Sequence, residues 1–327
     1  MNKPIKSIAF YVNGNDTCGL GHIYRVLQLA NEFTKQSINI DIYFDTKQTK
    51  REFFGDTKHN LVTVEGTEGL IRKLKDKEYD ILINDILQTN KEYVELLRES
   101  CPKMRIVNFE DDGEGAPYAD LVINALYDGN CSDNIKSGID YYMISEQFLK
   151  YEPISITNKV ENILVTFGGA DPMGYTNKVL EIAQKEKYKQ IKFMFVVGRA
   201  NKGFDKSLKI EEENIEVLYN INNMPEVMSR CDLAITSRGR TGYELAALGV
   251  PTISIAQNER EERHNFMSSS NGFKYIGYNP SKEVIEKAMK ELIETSKNER
   301  ETVQKKMLVH DLRNGTKRVV ECITKLW

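Results

Sequence analysis

The most restrictive feature of this chain is a series of short, continuously apolar segments, each followed by residues with helical spacing. Segments 8–12, 40–44, 61–64, 81–83, 105–109 and 121–123 read as strands, with helices over about 21–33 and 92–98. In the first of these helices Ile23, Val26, Leu27, Ala30 and Phe33 recur at three-to-four spacing. Strands without polar alternation are buried on both faces, which implies parallel sheets wound in right-handed β-α-β units. The pattern breaks over about 140–159, around Pro153, and then restarts. Strands follow at 163–167, 193–197, 215–218, 233–236 and 252–255, with helices near 177–184 and 242–248. Two such series imply an α/β fold of two Rossmann-like domains, residues 1–145 and 146–327, with parallel sheets facing a central cleft. In such folds ligands sit beyond the carboxyl ends of the strands. The last stretch, 299–327, reads as helical segments interrupted at Asn314-Gly315. An apolar stripe of Val319, Val320, Ile323 and Leu326 could return the final helix to the first domain.

Composition narrows the function classes. The 327 residues, 40% of them apolar, suffice for two cores. Lys+Arg 45 against Asp+Glu 48 leaves a net charge of −3, which argues against a nucleic-acid partner. Cys18, Cys101, Cys131, Cys231 and Cys322 form no C-x-x-C pair, so they read as reduced thiols. After Lys3 and Lys6 the apolar run 8–12 is shorter than the roughly 7–15 residues of a secretory h-region. No window approaches the roughly 20 apolar residues of a membrane span. The expectation is a soluble, cytoplasmic protein.

The turn after the first strand holds Gly14, Gly19, Leu20, Gly21 and His22 and opens directly into a helix. Small residues let a ligand approach the backbone, and a helix N-terminus favours anions. Gly14-x4-Gly19 imitates half of a P-loop, but Leu20-Gly21 stands where Lys and Ser/Thr are required. Gly19-x-Gly21 begins a dinucleotide fingerprint, but Tyr24 replaces its third glycine. That leaves His22. The helix dipole disfavours imidazolium there, so the ring can serve as a general base; a hydrogen bond to ligand or a plain turn cap are the alternatives. Arg25, one turn on, is either a second anion contact or an exposed helix charge.

In the second half, Phe167-Gly168-Gly169-Ala170-Asp171-Pro172 follows a strand and precedes a helix, as a diphosphate cradle or as a tight turn with a cap. Further on, Ser237, Arg240, Thr241, Gly242 and Glu244 span a strand end and a helix start. A carboxylate there can accept from the vicinal hydroxyls of a ribose while Arg240 meets phosphate. The bland reading is a capping box of Thr241 and Glu244. The strand after it ends in Gln257-Asn258, facing the same cleft.

Together these motifs carry a family resemblance. Gly19-Leu20-Gly21-His22-x-x-Arg25, Thr166 to Pro172, Glu244 to Pro251, Gln257-Asn258 and Asp311-x3-Gly315-x2-Arg318 resemble the PseG/SpsG group. That group comprises UDP-sugar hydrolases and relatives of pseudaminic-acid and surface-polysaccharide pathways, similar in fold to the MurG glycosyltransferase, a GT-B architecture. The resemblance implies a UDP-sugar with diphosphate near Gly168, Gly169, Ala170 and Asp171 and ribose on Glu244. It implies that His22 activates water against the sugar C1 with inversion, that Asn258 orients water or sugar, and that neither metal nor cofactor takes part. Gly19, Leu20, Gly21, Arg25, Asp85, Ser237, Arg240, Thr241, Gly242 and Gln257 complete the expected contacts. The chain departs from the group at Asp85-Ile86-Leu87, where the group often has Asp-x-Tyr. Glu110-Asp111-Asp112 reads as a loop acid run, not a metal site, and the acidic loop from Glu110 to Ala116 could face an acceptor.

The resulting expectation is a nucleotide-sugar hydrolase releasing a free amino or deoxy sugar, functionally linked to other sugar-pathway enzymes. A GT-B glycosyltransferase with a sugar or lipid acceptor would use the same residues. A nucleotide-sugar-binding subunit without chemistry is the third reading, motivated by Leu87.

Overall fold

The computed structural model describes residues 4–14, 20–126, 132–204, 210 and 212–327. The chain divides into two compact units, one of Met1–Met143 with Asn314–Trp327, the other of Ile144–Arg313.

The first unit runs β1 (Ser7–Val12), α1 (Gly21–Lys35), β2 (Asn39–Asp45), β3 (Asn60–Val64), α2 (Gly66–Lys77), β4 (Ile81–Asp85), α3 (Lys91–Ser100), β5 (Arg105–Phe109), β6 (Leu121–Asn124) and β7 (Ile135–Ser137). Its sheet has the order β3-β2-β1-β4-β5-β6-β7, with every pair parallel. The apolar runs arise because each strand feeds two cores. Ile8, Phe10 and Val12 of β1 pack with Ile23, Val26, Ala30 and Phe33 of α1. Ala9 and Tyr11 point the other way, into a cluster with Leu70 and Leu74 of α2 and Val94 and Leu97 of α3.

The second unit runs β8 (Asn162–Thr166), α4 (Tyr175–Ala183), β9 (Lys192–Val197), β10 (Ile215–Tyr219), α5 (Met224–Met228), β11 (Leu233–Ser237), α6 (Thr241–Leu248), β12 (Thr252–Ala256), α7 (Glu259–Glu262), β13 (Phe273–Tyr278), α8 (Lys282–Glu294) and α9 (Lys297–Leu308). Its sheet order is β10-β9-β8-β11-β12-β13, again parallel throughout. The last helix, α10 (Gly315–Thr324), belongs to the first unit. Val319 and Ile323 are fully buried in the core beside α1, with Val320 and Leu326 packed at its margin. Each of the two buried side chains is worth roughly 1.5–3 kcal/mol of apolar burial.

Both sheets reverse their winding once, between β1 and β4 in the first unit and between β8 and β11 in the second. The carboxyl ends flanking a reversal are where doubly wound sheets bind ligands, because the crossovers diverge there and leave a crevice. His22 and Asp85 lie at the first such point; Gly168 and Glu244 lie at the second. No helix among the described residues is long and apolar enough to cross a membrane.

Candidate functional site

In the first unit the site grows from the adjacency of β1 and β4, whose register pairs Val12 with Asp85. α1 starts without help: its N-cap, Leu20, offers no side-chain bond, and its first turn carries no acidic residue. Gly21 and His22 are its first two residues, while Gly19 lies outside the described residues. His22 is 6% exposed, and its Nδ1 stands 2.6 Å from Asp85 Oδ1. Burial alone would raise the Asp85 carboxyl, but Arg25 and His22 outweigh it and hold the group far below the usual carboxylate range. An ionised carboxylate only accepts, so the proton between the two groups is assigned to Nδ1. That tautomer leaves the Nε2 lone pair available, and Nε2 has no hydrogen-bond partner among the described residues.

Arg25 is neither of the two things its position suggested. Its side chain is only 4% exposed, so it is no surface charge. Its Nε donates to Asp85 Oδ2 and its Nη2 to Asp85 Oδ1, both at 2.6 Å, while Nη1 donates to Glu110 Oε1 at 3.0 Å. The guanidinium also lies 5.1 Å from the centre of the Phe109 ring. With every nitrogen turned inward it is a clamp on two carboxylates, which replaces its expected role as an anion contact. Asp85 is likewise occupied, both of its oxygens being held by His22 and Arg25.

Two carboxylates of the acidic run after β5 are turned inward. Glu110 is 2% exposed and held by Arg25, and Leu126 N donates to its Oε2. Asp111 is fully buried and accepts from Thr89 N and Oγ1, Asn108 Nδ2 and Gly113 N. Only Asp112 and Glu114 of this loop are exposed. Leu87, in the place of the group's tyrosine, is half-buried and adopts a left-handed backbone with φ 67°, uncommon for a branched side chain.

In the second unit the loop after β8 is open. Gly168 takes φ +73°, and a Cβ on Gly168 or Gly169 would meet nothing within 4 Å. Ala170 beside them is exposed. From behind, the loop is held by Gly198 at the end of β9, where a Cβ would come within 2.5 Å of Gly168 O, Gly169 Cα and Gly169 O. Ala200 N donates to Gly169 O at 3.0 Å. Gly198 thus serves the loop as closely as the two glycines in it, and the sequence reading missed it because it follows a different strand.

Several expected ligand contacts turn out to be fasteners. Asp171 accepts from Tyr175 N at 2.9 Å and Thr176 N at 2.7 Å, so both its oxygens cap α4 and neither is placed for phosphate. Gln257 donates its amide to Phe167 O, bracing the residue before Gly168. Gly242 is buried against Met267, whose Sδ would lie 2.0 Å from an added Cβ, so its smallness serves helix packing. Asn258 is exposed, and its Oδ1 caps α7 by accepting from Glu261 N at 2.9 Å. Arg238, which sequence reasoning did not single out, is buried 4.0 Å from the centre of the Tyr275 ring and donates to Glu262 O.

Glu244 behaves differently. The N-cap of α6 is Arg240 and makes no side-chain cap, so Thr241 and Glu244 form no capping box. Ser237 ends β11 beneath them, 4% exposed. Burial pushes the half-buried Glu244 carboxyl up to about 7, against the pull of Arg240. It accepts no hydrogen bond among the described residues. A desolvated acceptor without a donor, at the reversal point of the sheet, suits a ligand's hydroxyls. Among the described residues no three His, Cys, Asp or Glu side chains gather as metal ligands.

Comparison with known proteins gives this geometry a context. Residues 162–319 match the glycosyltransferase family 28 C-terminal domain. An uncharacterized protein of Methanocaldococcus jannaschii is 30% identical over 77% of this chain and 56% of its own length. The spore coat polysaccharide biosynthesis protein SpsG of Bacillus subtilis is 28% identical over 78% of each chain. The Helicobacter pylori pseudaminic acid cytidylyltransferase and UDP-2,4-diacetamido-2,4,6-trideoxy-beta-L-altropyranose hydrolase is 22% identical over 77% of this chain and 45% of its own length. The chain thus spans about half the length of two of these relatives. In three dimensions it is similar to MurG of Acinetobacter baumannii, with TM-score 0.70 and 16% identity over 98% of this chain and 99% of that one.

Proposed function

The chain belongs to the SpsG/PseG group of glycosyltransferase-like enzymes with the GT-B fold, and from that premise we propose that it is a UDP-sugar hydrolase. In this reading the second unit holds the nucleotide, with diphosphate over Gly168 and Gly169 and near Arg240, and the ribose hydroxyls donating to Glu244. The first unit supplies the base. His22 Nε2 takes a proton from water as the water oxygen bonds to the sugar C1. The bond from C1 to the phosphate oxygen breaks on the opposite side, its electron pair leaves with UDP, and the configuration inverts. Asn258 retains its Nδ2 to steady the sugar or the water. The free sugar, an amino or deoxy sugar, would enter nonulosonic-acid or surface-glycan synthesis.

The observation that carries this reading is the imidazole whose Nδ1 is committed to Asp85 while Nε2 has no hydrogen-bond partner among the described residues. A histidine that merely capped its helix would have no use for a buried carboxylate and its arginine. The second reading is a glycosyltransferase in which an acceptor hydroxyl replaces water; the family 28 domain and Leu87 favour it. The test is incubation with a panel of UDP-sugars in the absence of any acceptor. UDP release without acceptor supports hydrolysis; release that begins only when a sugar or lipid acceptor is added supports transfer.

A further inference from the structure

We propose that Glu110 is a positioning residue that sets the basicity of His22 through Arg25, an inference that rests on the reading of His22 as the base. A carboxylate beside a histidine ordinarily lends it a negative charge that welcomes the incoming proton. Here that charge is cancelled, because Arg25 grips both oxygens of Asp85 at 2.6 Å. Asp85 and Arg25 sum to zero. Glu110, 3.0 Å from Nη1 on the other side of the guanidinium, restores a net charge of −1. The side chains of Arg25, Asp85 and Glu110 are 4%, 1% and 1% exposed, so solvent and salt screen them little. A proton on Nε2 then neutralises a buried anionic cluster. Without Glu110 it would create a buried cation, which a low-dielectric site resists.

The fold invests in holding this third charge. Glu110 takes a left-handed backbone, φ 51°, directly after β5, and the satisfied Asp111 network fixes the next residue. Other ionisable groups near α1 are engaged elsewhere. Asp45 of β2 accepts from Lys47 N and Gly66 N. Asp41 binds Lys77 and Tyr79. Tyr11 and Tyr43 face the opposite core. Arg51 and Glu52, in the turn beside α1, are exposed, as are Lys317 and Glu321 of α10, while Arg318 donates to Asp140 O. Among the described residues Tyr142 also acts on Arg25.

The experiment is an NMR titration of the 15N-labelled His22 imidazole in the full chain, which requires no substrate. Glu110→Gln keeps an acceptor for Arg25 Nη1 and removes only the charge. It should lower the His22 midpoint by about one pH unit, since a lost anion disfavours imidazolium. The double variant Arg25→Gln/Glu110→Gln leaves Asp85 uncancelled and should return the midpoint to near wild type. An unmoved midpoint in Glu110→Gln, or a double variant lying below the single one, overturns the proposal. Should Glu110→Gln fail to fold by circular dichroism, the double variant decides: a wild-type midpoint supports the proposal and a fall of about one unit overturns it. Failure of the functional reading is visible separately, as a wild-type protein that titrates as expected yet releases UDP from no nucleotide-sugar.

Discussion

The two reversal points of this chain share a topology and differ in what fills them. In the first unit the strand ends are closed by charge: His22 Nδ1, Arg25, Asp85 and Glu110 are joined in a buried cluster. In the second they are open: a Cβ on Gly168 or Gly169 would meet nothing within 4 Å, and the Glu244 carboxyl has no hydrogen-bond donor among the described residues. A closed electrostatic cluster is already organised before any ligand arrives, which is what a base needs. An open, desolvated acceptor gains its partner from the ligand, which is what a binding site needs. On the proposed reading the difference assigns chemistry to the first unit and affinity to the second, and variants can test that assignment.

The largest effect should come from His22→Ala, with turnover falling by about 10²–10⁴ and UDP affinity unchanged by calorimetry. A matching loss of affinity would merge the two roles. Next, Glu244→Gln should weaken UDP about ten- to a hundredfold, the scale of hydrogen bonds to a charged group, with little effect on turnover at saturation. The pH dependence follows from the raised Glu244 carboxyl. Below about 7 it is protonated and a poorer acceptor, so wild-type affinity for UDP should rise as pH passes upward through that value. The Glu244→Gln variant should lack this component; an identical pH profile in both proteins would remove Glu244 from the site. Gly198→Ala should weaken UDP by about tenfold, and overpacking against the loop backbone should cost about 1–3 kcal/mol in denaturant unfolding. The smallest effect is that of Asn258→Ala. As a helix cap alone it costs about 1 kcal/mol of stability, whereas a drop in turnover beyond that would reveal contact with water or sugar.

Much of the fold was legible because parallel strands buried on both faces leave unbroken apolar runs; β1, β2, β5 and β11 stand where those runs predict. β13 was not, since Phe273–Tyr278 interleaves lysine and glycine on a half-buried edge. α2 was also missed: Leu70, Ile71 and Leu74 are a narrow stripe among lysines and glycines. α8 carries Ile285, Ala288, Met289 and Leu292 at helical spacing but follows a strand the pattern did not reveal. At the site, His22 and Glu244 were legible from their places after strands. The Asp85–Arg25–Glu110 cluster was not, because contacts across 60 and 85 residues depend on β1, β4 and β5 lying side by side. Likewise Asp171 and Gln257 looked like ligand contacts because capping and bracing draw on the same polar residues that bind phosphate.

The most direct test of the central claim is to run the reaction in H₂¹⁸O with an accepted UDP-sugar and follow the first turnovers by NMR and mass spectrometry. Water attack at C1, assisted by His22, predicts ¹⁸O on the free sugar, an inverted anomer and unlabelled UDP. Label in the phosphate of UDP, or a retained anomer, would contradict it.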